Sequence, residues 1–172
     1  MFDNKKYTKM KDYQEIIKDT FERMKRNQAI SPLLLMTDQI TDEKLQQHAK
    51  YVSLEPGEKP LFMADVKMVM WGRVTGLLVT DRNVYYRCMA IKRFFRSFAM
   101  LLSARNQGKV ALTDLHEISL GNWVMGSGTD TSYLGHRLSI NDNVVGTLVL
   151  GRYMSFDKKL VENLETLFKV LV

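Results

Sequence analysis

Cysteine occurs once in the 172 residues, at Cys88, while proline and histidine occur three times each. A single cysteine cannot form an internal disulfide, so no disulfide scaffold holds the chain, and a lone thiol suits a reducing compartment. As a small apolar residue in a β-rich run, Cys88 is expected in the core. His48, His116 and His136 are scattered, without the His-Glu-x-x-His spacing of a zinc enzyme, and there is no Cys-x-x-Cys pair. No metal site is expected. Also missing are a Gly-x-Ser-x-Gly elbow, a Gly-x-Gly-x-x-Gly turn and a carboxylate pair of arguable placement. The chain therefore reads as a non-enzyme with no catalytic residue and no cofactor. The glycine-rich stretch over 121–131 lacks the Gly-Lys-Ser/Thr ending of a phosphate loop and reads as a flexible loop. No window reaches the ~20 apolar residues of a spanning helix. The opening Met-Phe-Asp-Asn-Lys-Lys-Tyr-Thr-Lys lacks the apolar region of a signal peptide, so a cytoplasmic location is expected.

What the chain does have is an uneven charge distribution. Residues 1–55 carry ten basic and nine acidic groups, 56–90 five and three, 91–109 five and none, and 110–172 five and seven. Five of the six net positive charges thus fall in one short segment, which suits an anionic partner.

Apolar residues recur at helical spacing from residue 7 to 27, at Met10, Tyr13, Ile16, Ile17, Phe21 and Met24, and predict a long amphipathic helix. Ser31-Pro32 interrupts it, and Leu33 to Met36 form a short apolar run. A second helix is expected after Thr41, a suitable cap, with Leu45, His48, Ala49 and Val52 on one side. Pro56-Gly57-Glu58-Lys59-Pro60 ends the helical pattern and marks the expected boundary between a helical extension, 1–55, and a domain over 56–172. A strand follows over 61–68, whose apolar run continues through Val69, Met70 and Trp71.

The organising stretch is 76–89. Leu77 to Val79 and Val84 to Cys88 are β-prone, and Thr80-Asp81-Arg82-Asn83 between them supplies turn formers, so the segment reads as a hairpin. In its second strand Val84, Tyr86 and Cys88 share one face, expected to point inward, and Tyr85, Arg87 and Met89 share the other. Gly76, Leu78 or Leu77, Thr80, Asp81 and Val84 together resemble the hairpin of the pleckstrin-homology-like superfamily, especially bacterial PH and GRAM-like domains. The departure is Asn83, where the family usually has an arginine, here displaced to Arg82. The resemblance implies an α+β fold: a bent antiparallel β-sandwich or partly open barrel of about seven strands, with a carboxy-terminal helix capping its open end. A further strand or two over 109–120, a hairpin over 134–150 turning at Asn141-Asp142-Asn143, and a helix capped by Ser155 or Asp157 fit that order.

An insertion over 91–106 groups Ile91, Phe94, Phe95, Phe98, Leu101 and Leu102 on one side of a helical projection, with Lys92, Arg93 and Arg96 opposite. Such a helix either packs its phenylalanines onto the sheet or lies in a membrane interface. Family members that bind phosphoinositides gather cations around the first hairpin and the loop after the third strand. Here Lys67, Arg73, Lys92, Arg93, Arg96 and Arg105 occupy comparable places, and with Trp71 and Phe94 they are the expected contact residues. No Lys/Arg-x-Arg follows Lys67 in the next strand, so the resemblance does not extend to inositol specificity. The expected function is a binding module for a protein partner or a second copy of the chain. The alternative is a peripheral module on anionic lipid, and nucleic acid is not an expected partner.

Overall fold

The computed structural model describes residues 12–68, 73–89, 105–125, 134–149 and 157–172. Asp12 caps the first helix, α1 (Tyr13–Asn27), by accepting from the N–H groups of Gln14 and Glu15. Ile17 and Met24 on its apolar stripe are buried, and Tyr13 and Phe21 pack beside them. The Leu33 to Met36 run then forms a strand, β1 (Leu34–Met36), which pairs antiparallel with β2 (Pro60–Ala64). Between them stands α2 (Asp42–His48), capped as expected by the Thr41 hydroxyl, which accepts from the Lys44 N–H.

The strand expected over 61–68 breaks at Asp65 and Val66. Its tail, β3 (Lys67–Met68), pairs with β4 (Arg73–Val74) as a separate two-stranded ribbon. The break has a hydrogen-bonding signature: Val66 N–H turns back to the Ala64 carbonyl at 3.0 Å, the bond of a three-residue turn, and the pairing with β5 ends at Ala64 opposite Leu77. The organising hairpin consists of β5 (Gly76–Thr80) and β6 (Asn83–Met89), followed by β7 (Arg105–Ala111). Then come β8 (Ile118–Met125), β9 (Leu134–Ile140), β10 (Asn143–Val149) and a closing helix, α3 (Lys158–Leu171).

These strands make two antiparallel sheets, β1-β2-β5-β6-β7 and β10-β9-β8, joined where Met89 pairs with Thr147. The sandwich is not a closed barrel, because β1 and β8 end the strand order without pairing with each other. Ten strands among the described residues exceed the expected seven or so. The excess comes from β1 and from the short β3–β4 ribbon. The loop expected over 121–131 is also corrected, since residues 121–125 continue β8 opposite Leu134, Gly135 and His136. Trp-Val-Met is β-prone, and an available partner strand satisfies its backbone groups better than water at a sheet surface would. The β9–β10 turn holds Asn141 and Asp142 at φ 50° and 63°, the left-handed pair that matches strand twist in a two-residue hairpin.

The main core lies between the sheets and is plugged by α3, whose Leu160, Val161, Leu164, Leu167, Phe168 and Leu171 are all buried. Asp157 caps α3 and also accepts from the Ser31 hydroxyl at 2.5 Å. Ile17, Met24, Leu33 and Leu34 join this same core, and Asn163 of α3 accepts from Ser31 N–H at 2.9 Å. The segment before Pro56, expected as a helical extension, therefore also contributes a strand and core side chains. Cys88 is fully buried in the core, and burial pushes its thiol up to about 12.

A second apolar cluster covers the opposite face of the five-stranded sheet. Tyr51 and Val52, just after α2, pack with Leu35, Ile40, Leu45 and Leu54 onto Met63, Leu78 and Tyr85. Both faces of the organising hairpin are thus buried, and the half-buried strand that its alternation predicts is corrected to a fully covered one.

Because α1 shares the main core, Ile17→Ala should cost about 2–5 kcal/mol in denaturant unfolding, like any buried large-to-small change. A change within about 0.5 kcal/mol of wild type would mean that α1 contributes no packing.

Candidate functional site

Of the expected contact residues, Lys67, Arg73 and Arg105 fall within described elements, and Trp71, Lys92, Arg93, Phe94 and Arg96 lie outside the described residues. Lys67 stands opposite Val74, and Arg73 opposite Met68, in the β3–β4 ribbon. Arg105 starts β7 opposite Met89. Gly76, which follows β4 by one residue, pairs with Arg87, two residues from Met89. The topology therefore brings Lys67, Arg73 and Arg105 to the same end of the five-stranded sheet.

At that end the sheet also carries a buried polar layer that alternation alone did not identify. Asp65 is almost wholly buried; its Oδ2 accepts from Lys44 Nζ at 2.5 Å and its Oδ1 faces His48 Nε2 at 3.4 Å. An ionised carboxylate only accepts, so Nε2–H points at Asp65, which leaves Nδ1 to the Tyr51 hydroxyl at 2.9 Å. The His48 hydrogen bond is the largest influence on Asp65. Burial opposes it and Lys44 reinforces it, and together they hold the carboxyl well below its ordinary range. Gly76 makes this layer possible: a Cβ there would stand 2.6 Å from the Tyr51 Oη and 3.2 Å from the Ala64 carbonyl oxygen.

A second buried carboxylate, Glu58, sits under the β5–β6 turn. Thr80 Oγ1 and Asn83 Nδ2 donate to its Oε1, and Tyr85 OH and Glu55 N–H donate to its Oε2 at 2.8 Å each. Burial disfavours its charge, but these four donors outweigh burial and hold its carboxyl below the ordinary value. The acceptor-rich Glu58 fixes the turn that the sequence marks so strongly. Among the described residues, no cluster of three or more His, Cys, Asp or Glu could hold a metal ion. No described helix is long and apolar enough to cross a membrane.

On the other sheet, β8 ends the strand order, so one of its edges has no neighbouring strand among the described residues. Beside it runs a groove of about 400 Å³. Ile118, Ser119 and Leu120 line its β8 side, and Glu165, Phe168, Lys169 and Val172 line its α3 side. Ile118 and Phe168 form a buried apolar floor, whereas Val172 is half exposed at the rim. Sequence reading missed this groove because its lining comes from residues some fifty positions apart, which only the docking of α3 onto β8 brings together.

No family model, no curated protein and no solved structure matches the chain.

Depressed carboxyls stabilise the fold above the unfolded-state range near pH 4 and lose that contribution as pH falls toward their folded values. Wild-type stability should therefore drop as pH is lowered from about 5 to 2. Asp65→Asn should be about 1.5–3 kcal/mol less stable at pH 7, and the gap should narrow in acid. Denaturant unfolding at several pH values checks this; a gap that stays constant with pH would show that Asp65 acts through packing rather than charge.

Proposed function

We propose that the protein is a non-catalytic, cytoplasmic binding module of PH-like design that takes an extended segment of a partner protein along the outer edge of β8. The observation that carries this reading is the joint presence of a strand edge with no neighbouring strand among the described residues and an apolar groove beside it. A strand edge offers backbone N–H and C=O groups, so an extended segment can add to it, while an adjacent pocket selects every second side chain. Glu165 and Lys169 place one charge of each sign at the rim of an apolar floor, a distribution that suits a protein segment. The four-stranded meander β2-β5-β6-β7, the three-stranded meander β8-β9-β10 and the helix closing the core support the PH-like design. A second copy of the chain could supply the added strand, which would make the same edge a site of self-association.

A peripheral role on anionic membranes is favoured by a different observation, the gathering of Lys67, Arg73 and Arg105 at the sheet end from which the basic stretch over 91–104 departs. Cations near an anionic surface attract it within a Debye length and do so without a shaped pocket.

Selection of displayed peptides should enrich sequences that bind wild type and lose at least tenfold in affinity against Lys169→Glu/Val172→Asp, two solvent-facing changes. Binding should slow amide exchange in β8. Enriched peptides that bind both proteins equally would place the site elsewhere. For the membrane reading, wild type should co-sediment with anionic but not neutral vesicles, and Lys92→Glu/Arg93→Glu/Arg96→Glu should remain in the supernatant. Failure of wild type to sediment with either would remove that reading.

A further inference from the structure

Arg87 is buried to 8% exposure on the face of β6 covered by the α2 segment, and its Nε and Nη1 have no hydrogen-bond partner among the described residues. A guanidinium keeps its charge at any pH at which the protein is folded, so its burial without a partner is a standing cost. Glu58 and Glu55 offer no relief, since four donors saturate the first and Lys109 pairs with the second at 2.7 Å. The carboxylate that shares a row with Arg87 is Asp65. One step past the Ala64–Leu77 pair come Asp65 and Gly76, and Gly76 pairs with Arg87. Adjacent strands lie about 4.8 Å apart, so the backbones of Asp65 and Arg87 are about 10 Å apart, a span that the two side chains cover between them.

What keeps the two charges apart comes from the α2 segment. Gly76 has no side chain, and the room over it is filled by that segment: a Cβ there would meet the Tyr51 Oη at 2.6 Å and the His48 Cε1 at 3.4 Å. Burial is the main cause of the raised Tyr51 hydroxyl; Arg87 opposes the rise and Asp65 adds to it, as expected for a group within reach of both charges. Lys44 and His48, the two partners of Asp65, belong to the same segment. The carboxylate thus pairs with the cover, and the cation beneath the cover pairs with nothing.

We propose that residues 42–54 form a strap with two positions, and that Asp65 exchanges ion-pair partners between them: Lys44 and His48 with the strap closed, Arg87 across Gly76 with it open. The closed position is held by Leu45, Tyr51 and Val52, which pack onto Met63, Leu78 and Tyr85, and it is opposed by the uncompensated charge of Arg87. Opening takes Lys44, His48 and Tyr51 away together. It gives Arg87 both water and the Asp65 carboxylate, and it returns Lys44, already partly exposed, to solvent at little cost. Because Asp65 has a partner in either position, the strap moves as a unit between two states and does not fray residue by residue. Its open position uncovers the apolar outer face of the central hairpin. This device does not involve the β8 groove, and each stands without the other.

Native-state hydrogen exchange on the full chain tests this. It is read at the Leu45, Tyr51 and Val52 amides of the strap, which bond to the Thr41 and His48 carbonyls, and at the amides of β5 and β6. In wild type the three strap amides should share one opening, about a hundredfold more frequent than that of the hairpin amides. Arg87→Met, whose closed position buries no charge, should slow strap exchange about tenfold. The change of partner sets the sign of a double-variant comparison: Arg87→Met should slow the strap by a smaller factor in Asp65→Asn than in wild type, because the open pair is already missing there. Three results would each overturn the proposal. The first, strap amides that exchange only together with the hairpin in wild type, needs no variant to fold. The others are strap exchange unchanged or faster in Arg87→Met, and a slowing in Asp65→Asn as large as in wild type.

Discussion

The outer face of β5 and β6 presents Leu78, Tyr85 and Arg87, and the fold depends on how that face is kept from water. A two-layer sandwich would bury only the inner faces of its sheets. Here the segment from Ile40 to Leu54 lies across the outer face as a third layer, so the central hairpin has no wet side. Much else follows from that coverage. The segment must return to the sheet through Pro56 and Gly57, the latter at φ 77°, and β1 must pair with β2 to anchor its near end.

Covering a sheet that still carries polar side chains forces those side chains to find partners inside the protein. Asp65 and Glu58 do so with two and four donors, and each turns a break in regular structure into a fixed joint, the first where β2 ends and the second under the β5–β6 turn. Glycine at position 76 lets the joint at Asp65 close, because the Tyr51 hydroxyl occupies the place of a Cβ. The same coverage buries Arg87, whose Nε and Nη1 have no hydrogen-bond partner among the described residues.

Elements held by local signals were legible in the sequence. The caps Thr41 and Asp157, the α3 stripe and the Asn141–Asp142 turn each depend on residues within a few positions of one another, and each is present where the pattern placed it. Features that depend on distant partners were not legible. Leu33 to Met36 read as a connector because a three-residue strand exists only through its pairing with β2, and residues 121–125 read as loop because β9 supplies their ladder. Arg87 looked like an ordinary solvent-facing strand residue, since alternation gives the side of a strand but not what covers that side. The basic residues brought together by Lys67, Arg73 and Arg105 share a sheet end because of register, which spacing alone does not fix.

The contact of α1 and the turn after it with α3 joins residues more than a hundred positions apart: Tyr13 OH reaches the Leu171 carbonyl at 3.5 Å, and Asn163 Nδ2 reaches the Ala29 carbonyl at 3.3 Å. Translation proceeds in one direction, so α1 leaves the ribosome long before the helix that covers its stripe has been made. During that interval β1, β2 and the β5–β6 hairpin can pair and α1 can meet β2, while the part of the α1 stripe that α3 will cover remains open. The interval between synthesis of the two helices is thus the period in which a nascent copy offers an apolar face to chaperones or to other nascent chains.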